Sequence, residues 1–222
     1  MLHSFRATAF VLGALAILCC ARPSIAQTDS ADRWGFLFSV GWSTLHTDGK
    51  SVLDNEDGWY IDSEILYQLQ PESPLWLGVG FAGSYFEADR DFDFGSGLIT
   101  NELEVSADLG LFAIEPRLTY VLLPRKTGDN GLFLSGRLGA GLLIADQSQL
   151  SVIETGNVVT FSGDSDTTFA FEVRPAVQVG YSGGHWQAGA EFSYMWAWGD
   201  FDPLNSNTLE EGRAGVFFRF TY

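Results

Sequence analysis

Few residues in this 222-residue chain could serve as a nucleophile or a base. Histidine occurs only at His3, His46 and His185, and the only cysteines are Cys19 and Cys20. Hydrolytic chemistry needs a nucleophile, a base and an orienting acid within reach of one another. His46 has Thr44, Thr47 and Asp48 beside it, but neighbours along a chain do not make a triad. His185 follows Gly183-Gly184 in a turn-like segment. No catalytic residue is assigned, and a non-enzymatic protein is expected. Metal chemistry has one candidate. Asp89, Asp91 and Asp93 have the acid spacing of a calcium loop, yet its sixth position, which needs Gly, is Phe94, and its twelfth, which needs an acid, is Thr100. A solvated acidic segment is the plainer reading, with Phe92 and Phe94 extending strands. No cofactor is expected.

What remains is charge. The chain has 28 acids against 12 Lys and Arg, a net charge of −16, which argues against nucleic acid as a partner. Its 18 Phe, 7 Trp and 7 Tyr suit burial or contact with lipid rather than disorder. Residues 1–26 read as a secretory signal peptide. One positive charge lies in Met1–Arg6, an apolar run spans Ala7–Cys20, and Ser24-Ile25-Ala26 supplies small residues for cleavage. The run is shorter than the roughly 20 residues of a spanning helix. A lipoprotein reading at Cys19 or Cys20 would need a small preceding residue, where Leu18 or Cys19 stands. Cleavage after Ala26 leaves Gln27–Tyr222 as a single domain without cysteine and with net charge −18.

Period-two alternation fills that domain. Trp34, Phe36, Phe38, Val40 and Trp42 share a face, as do Trp59, Ile61, Ile65, Tyr67 and Leu69. Leu75, Leu77, Val79, Phe81 and Tyr85 form a third set, although Trp76 breaks its polar side. Glu102–Leu122 is longer and changes phase, with Leu103, Val105, Ala107 and Leu109 followed by Ile114, Pro116, Leu118 and Tyr120. A β-bulge near Gly110 would restore register there. Four more segments follow, centred on Leu138, Val173, Ala190 and Phe218. Eight strands are expected. Ten would result if the long segment broke at Gly110 or the Gln149–Ser162 hairpin entered a membrane.

Three details favour a transmembrane, antiparallel, up-and-down β-barrel over a soluble sandwich. One face of each strand is nearly free of charge while ionised residues occupy the other. Aromatic residues cluster toward the apolar-face ends, as in membrane girdles. Trp42, Trp59, Tyr85, Trp196 and Trp198 would lie at one rim, with Trp34, Tyr67, Tyr120, Tyr181, Trp186 and Tyr222 at the other. Connections also alternate between short and long, as membrane barrels alternate periplasmic turns and external loops.

The last residues, Val216-Phe217-Phe218-Arg219-Phe220-Thr221-Tyr222, resemble the C-terminal assembly signal of outer-membrane proteins, with Val216, Phe218, Phe220 and Tyr222 as its alternating apolar positions. With the export signal and eight amphipathic strands, the mature chain resembles the small outer-membrane barrels of the OmpA/OmpX-like superfamily. The usual signal has Gly five residues before the final aromatic, and that position is Phe217 here. The resemblance implies a bacterial outer-membrane location, contact with outer-membrane lipid and lipopolysaccharide, handling by the outer-membrane assembly machinery, and a monomer.

In that fold, charge parity places Asp62, Glu64, Glu104, Asp108, Glu115, Glu172 and Glu191 in the lumen with Arg117, Arg137, Arg174, Arg213 and Arg219. An eight-stranded barrel is just wide enough for side chains to fill it. A salt-bridged plug is therefore expected, giving a structural or surface-interaction protein. A gate of exchanging pairs, forming a narrow cation-preferring pore, is the alternative, and an outer-leaflet lipid-modifying enzyme is a third reading. The four long connections, His46–Asp57, Glu87–Glu102, Asp146–Asp166 and Gly199–Glu211, together carry −15 of the charge. They would face lipopolysaccharide phosphates across bridging divalent cations. Gln149–Thr155 and Val158–Ser162, joined by Gly156-Asn157, read as a protruding hairpin.

Overall fold

Alternating apolar and mixed positions make extended chain with two unlike faces, and such strands gain most when no edge is left unpaired. The structure, a computed structural model, describes residues 33–47, 53, 56–70, 73–95, 100–123, 130–155, 158–201 and 206–222. Side chains are described throughout these segments except at 89–95, 100–105, 149–162 and 164. The expected signal segment and both cysteines lie outside the described residues.

Eight strands follow one another: β1 (Trp34–His46), β2 (Asp57–Gln68), β3 (Leu75–Gly95), β4 (Thr100–Leu123), β5 (Asn130–Thr155), β6 (Val158–Gly183), β7 (Trp186–Phe201) and β8 (Ser206–Thr221). Each pairs antiparallel with the next, and β8 returns to β1 to close the barrel. Where the ring closes, the Trp34 N–H donates to the Tyr222 carbonyl at 3.1 Å and the Tyr222 N–H to the Trp34 carbonyl at 2.9 Å. Neither route to ten strands occurs. β4 runs unbroken through Gly110, and Gln149–Ser162 lengthens β5 and β6.

Strand length divides the ring. β1 and β2 have 13 and 12 residues, β7 and β8 have 16 each, and β3 to β6 have 21 to 26. Toward the β1–β2 connection the β2–β3 ladder reaches only Gly58↔Phe86, and the β6–β7 ladder begins at Phe171↔Trp198. Beyond those pairs β3 to β6 continue as a four-stranded sheet that ends at Gly95↔Thr100 and Thr155↔Val158. Glu87–Gly95 alone is roughly 30 Å of extended chain at ~3.3 Å per residue. Much of what reads as long loops at Glu87–Glu102 and Asp146–Asp166 is therefore ladder.

The expected bulge near Gly110 is absent, since Tyr85↔Gly110 and Gly110↔Asp146 keep continuous register. Ala107, Leu109, Leu111, Ala113, Glu115, Arg117 and Thr119 are all buried, so one parity of β4 faces inward along its described length. The ladder shifts instead between Val121 and Leu123. The apolar odd positions at the hairpin end are not a phase change. Ala107 and Leu109 line the inside, because the inside is apolar there.

Candidate functional site

Inward positions stack in three layers. At the end carrying Trp34 and Tyr222, Leu37, Leu66, Trp76, Phe133 and Phe217 form an apolar cluster. At the hairpin end Leu45, Phe86, Leu109, Leu143, Met195, Phe201 and Leu209 form a larger one, and Leu53 from the β1–β2 connection folds into it. Between them lies a charged belt.

Six carboxylates (Asp62, Glu64, Glu115, Glu172, Glu191 and Glu211) and four arginines make up that belt, all at most 5% exposed. Arg117 spans three acids, reaching Glu115 at 2.5 Å, Asp62 at 2.6 Å and Glu64 at 3.4 Å. Arg137 takes the second oxygen of Asp62 at 3.0 Å, with Glu64 at 3.2 Å and Glu191 at 3.0 Å. Arg174 binds Glu172 at 2.7 Å. Arg213 forks onto both Glu211 oxygens, at 2.7 Å from Nε and 2.9 Å from Nη2, and Ser84 donates to the same acid at 2.6 Å. Gln178 and Ser39 complete the donors around Glu191, at 2.5 Å and 3.2 Å. Planar guanidinium forks suit such bridging because several N–H groups are fixed in one plane.

Glycine makes room for these forks. A Cβ built on Gly80 would overlap the Arg117 guanidinium, and one on Gly139 would overlap the Glu115 carboxylate. Small inward residues on β3 and β5 thus receive long charged ones from β4.

Parity places Asp62, Glu64, Glu115, Arg117, Arg137, Glu172, Arg174, Glu191 and Arg213 in this belt, and the structure brings them together. Three assignments change. Asp108 is not in the lumen: it accepts from Tyr85 Oη at 3.0 Å and Ser148 Oγ at 3.4 Å on the outward face. With unbroken register in β4, even positions point out there. Arg219 is inside but sits apart from the ion pairs. Among the described residues it reaches no carboxylate, and it lies over Phe133 at 5.5 Å and Trp76 at 6.0 Å, with Gln187 at 3.5 Å. Glu211, read as part of an external loop, belongs to β8 and is fully buried against Arg213. Extending the odd-numbered inward parity of β8 by one step past Arg213 would have found it. The Glu104 side chain lies outside the described side chains.

The outward face is apolar between two aromatic belts. Trp34, Tyr120, Tyr181, Trp186 and Tyr222 stand exposed at one rim, and Trp42, Trp59, Trp196 and Trp198 at the other. Trp34 packs on Tyr67 at 4.9 Å and Trp59 on Tyr85 at 6.3 Å, each pair directly cross-strand. Val216, Phe218, Phe220 and Tyr222 are all exposed outward. Phe217, where Gly is usual, points inward and packs on Phe133 at 5.5 Å.

At the hairpin-end rim, acids take hydroxyl donors. Asp57 accepts from Thr44 at 2.8 Å, Glu210 from Tyr194 at 2.5 Å, and Asp146 from Thr167 at 3.4 Å. His46 stands opposite Glu210 on the ladder, while His185 lies between β6 and β7 at the other end. The calcium-loop reading of Asp89, Asp91 and Asp93 is overturned by the backbone. These residues lie within β3, paired to β4 up to Gly95↔Thr100, and an extended ladder cannot wrap a cation as a twelve-residue loop does.

No protein-family model matches this chain, and no curated relative does. Among solved structures it is similar to Ail, the attachment invasion locus protein of Yersinia pestis, at 15% identity over 86% of this chain and 100% of that one, with TM-score 0.42. It is similar to Neisserial surface protein A at 13% identity over 85% and 97%, TM-score 0.46. The outer membrane protein OprG of Pseudomonas aeruginosa aligns at 10% identity over 88% and 100%, TM-score 0.42. By its own ladder the chain is an eight-stranded antiparallel up-and-down β-barrel.

Proposed function

We propose that this chain is a non-catalytic, non-conducting barrel of the bacterial outer membrane, exported by a cleaved signal peptide. Its role is to mount an acidic sheet at the cell surface for structural contact or interaction. One observation carries the reading: side chains fill the barrel in three layers, while β3 to β6 overtop its rim. A filled lumen leaves the projecting sheet as the part available to other molecules. The apolar outward band between aromatic rims fits a bilayer, with the short connections in the periplasm. The outward-facing C-terminal residues of β8 are where the assembly machinery would engage the chain. The rim acids would meet lipopolysaccharide phosphates across divalent cations, and a single chain suffices for closure.

Cysteine labelling tests the orientation, since the mature chain has no cysteine of its own. On intact cells a membrane-impermeant maleimide should modify Glu154→Cys near the β5–β6 tip. It should modify Gln70→Cys, between β2 and β3, only after the envelope is opened. The reverse pattern, or equal labelling of both, would contradict the proposed mounting.

A further inference from the structure

The charges sealed inside the barrel do not balance. Among the described residues, the six belt acids stand against five buried arginines, the four of the belt and Arg219, which leaves one carboxylate in excess. An apolar layer closes each end of the belt, so mobile ions cannot screen that excess. An uncompensated charge in such a place is costly, and a buried acid relieves the cost by staying neutral. Among the described residues no group of three or more His, Asp or Glu side chains is arranged to hold a metal ion instead.

The hydrogen bonds single out one acid. Asp62 and Glu64 each take both Arg117 and Arg137. Glu191 takes Arg137, Gln178 and Ser39, and Glu211 takes two nitrogens of Arg213 together with Ser84. Glu115 takes two nitrogens of Arg117 through Oε1. Glu172 has a single donor, Arg174 at 2.7 Å on Oε2, and its buried Oε1 has no partner. The charged groups facing it are Arg174 on its own strand, Glu115 on β4 and Arg213 on β8. Its ladder partners on β5 and β7 are the uncharged Gly141 and Ala197. Arg213 is already held by Glu211, and Arg174 also lies 3.9 Å from Glu115. Glu115 and Glu172 thus share one arginine, and like charges sharing a site disfavour ionising both.

We propose that Glu172 is a buried proton-binding site, a neutral carboxylic acid at neutral pH that brings the sealed lumen to zero net charge. The protonated carboxyl still accepts from Arg174 through Oε2, while Oε1 becomes a donor. Glu115 Oε2, buried and without a donor of its own, is an acceptor of the kind that this proton needs. In the unfolded chain a glutamate is ionised above about pH 4.3, so the chain takes up one proton as it folds.

Infrared spectroscopy of the full refolded protein in an ester-free detergent at neutral pH reads the proton directly. Wild type should show the C=O stretch of a neutral carboxylic acid, Glu172→Gln should lack it, and Asp57→Asn should keep it. Urea unfolding in lipid vesicles supplies the second measurement. A proton bound only in the folded state makes the folding equilibrium constant fall about tenfold per pH unit. Between roughly pH 6 and 8 the wild type should therefore lose at least about tenfold more of that constant than Glu172→Gln. No acid band in wild type would overturn the site, as when a sodium or potassium ion carries the excess charge. A band that survives in Glu172→Gln would place the proton elsewhere and overturn the assignment, as would equal pH slopes. Failure of Glu172→Gln to fold would also contradict it, because a neutral amide of the same shape replaces a neutral acid.

Discussion

The belt inside the barrel and the sheet above it are built from the same acidic side chains under opposite conditions. In the belt each carboxylate faces guanidinium groups between two apolar layers, where leaving it unpaired would cost several kcal/mol. In the sheet, acids stand beside acids, and the rim carboxylates take hydroxyls. Water and mobile ions screen those charges. Charge in the belt therefore fixes structure, while charge in the sheet is not matched across the ladder.

The comparison breaks most readily through Arg117. Arg117→Met leaves Asp62, Glu64 and Glu115 short of a cation and should lower stability by about 3–5 kcal/mol, measured by urea unfolding in lipid vesicles. The Asp91→Asn and Asp93→Asn changes in the sheet should leave stability within about 0.5 kcal/mol. Comparable losses from both regions would erase the distinction. A smaller effect is expected from Gly80→Ala, whose added methyl collides with the Arg117 guanidinium and should destabilise by about 1–3 kcal/mol in the same assay.

Divalent cations sharpen the other side of the contrast. In lipopolysaccharide-containing bilayers, Mg²⁺ or Ca²⁺ should raise the thermal midpoint more than Na⁺ at equal ionic strength, and equal midpoints would remove cation bridging from the account. The smallest effect belongs to Arg219→Met. That arginine reaches no carboxylate among the described residues and lies against aromatic rings, so an apolar chain of similar length should be near neutral or mildly stabilising. A loss as large as that of Arg117→Met would show that Arg219 is an essential partner in the belt.

Period-two alternation made the eight strands legible, because an exposed apolar face on one side and a packed lumen on the other impose unlike faces along most of each strand. The same rule put nine of the belt residues on the correct face. It failed where the environment changes along a strand. Above the rim the outside meets water and the inside is apolar, so the polarity of β4 inverts without any shift in register. That inversion mimics a bulge at Gly110 and misplaces Asp108. Glu211 was hidden for a related reason, since adjacent acids Glu210 and Glu211 resemble a loop when they are really the outward and inward positions of one strand. The apolar cap of Leu45, Leu53, Phe86, Met195, Phe201 and Leu209 had no signal of its own. Its members come from separate strands and one connection, and only closure of the barrel brings them together.

The central claim is that side chains close the lumen, and single-channel recording tests it most directly. Refolded protein inserted in a planar bilayer should remain silent, with insertion confirmed independently by protection of the barrel from protease. A steady, reproducible conductance with preference for cations would contradict the filled lumen and establish the pore instead.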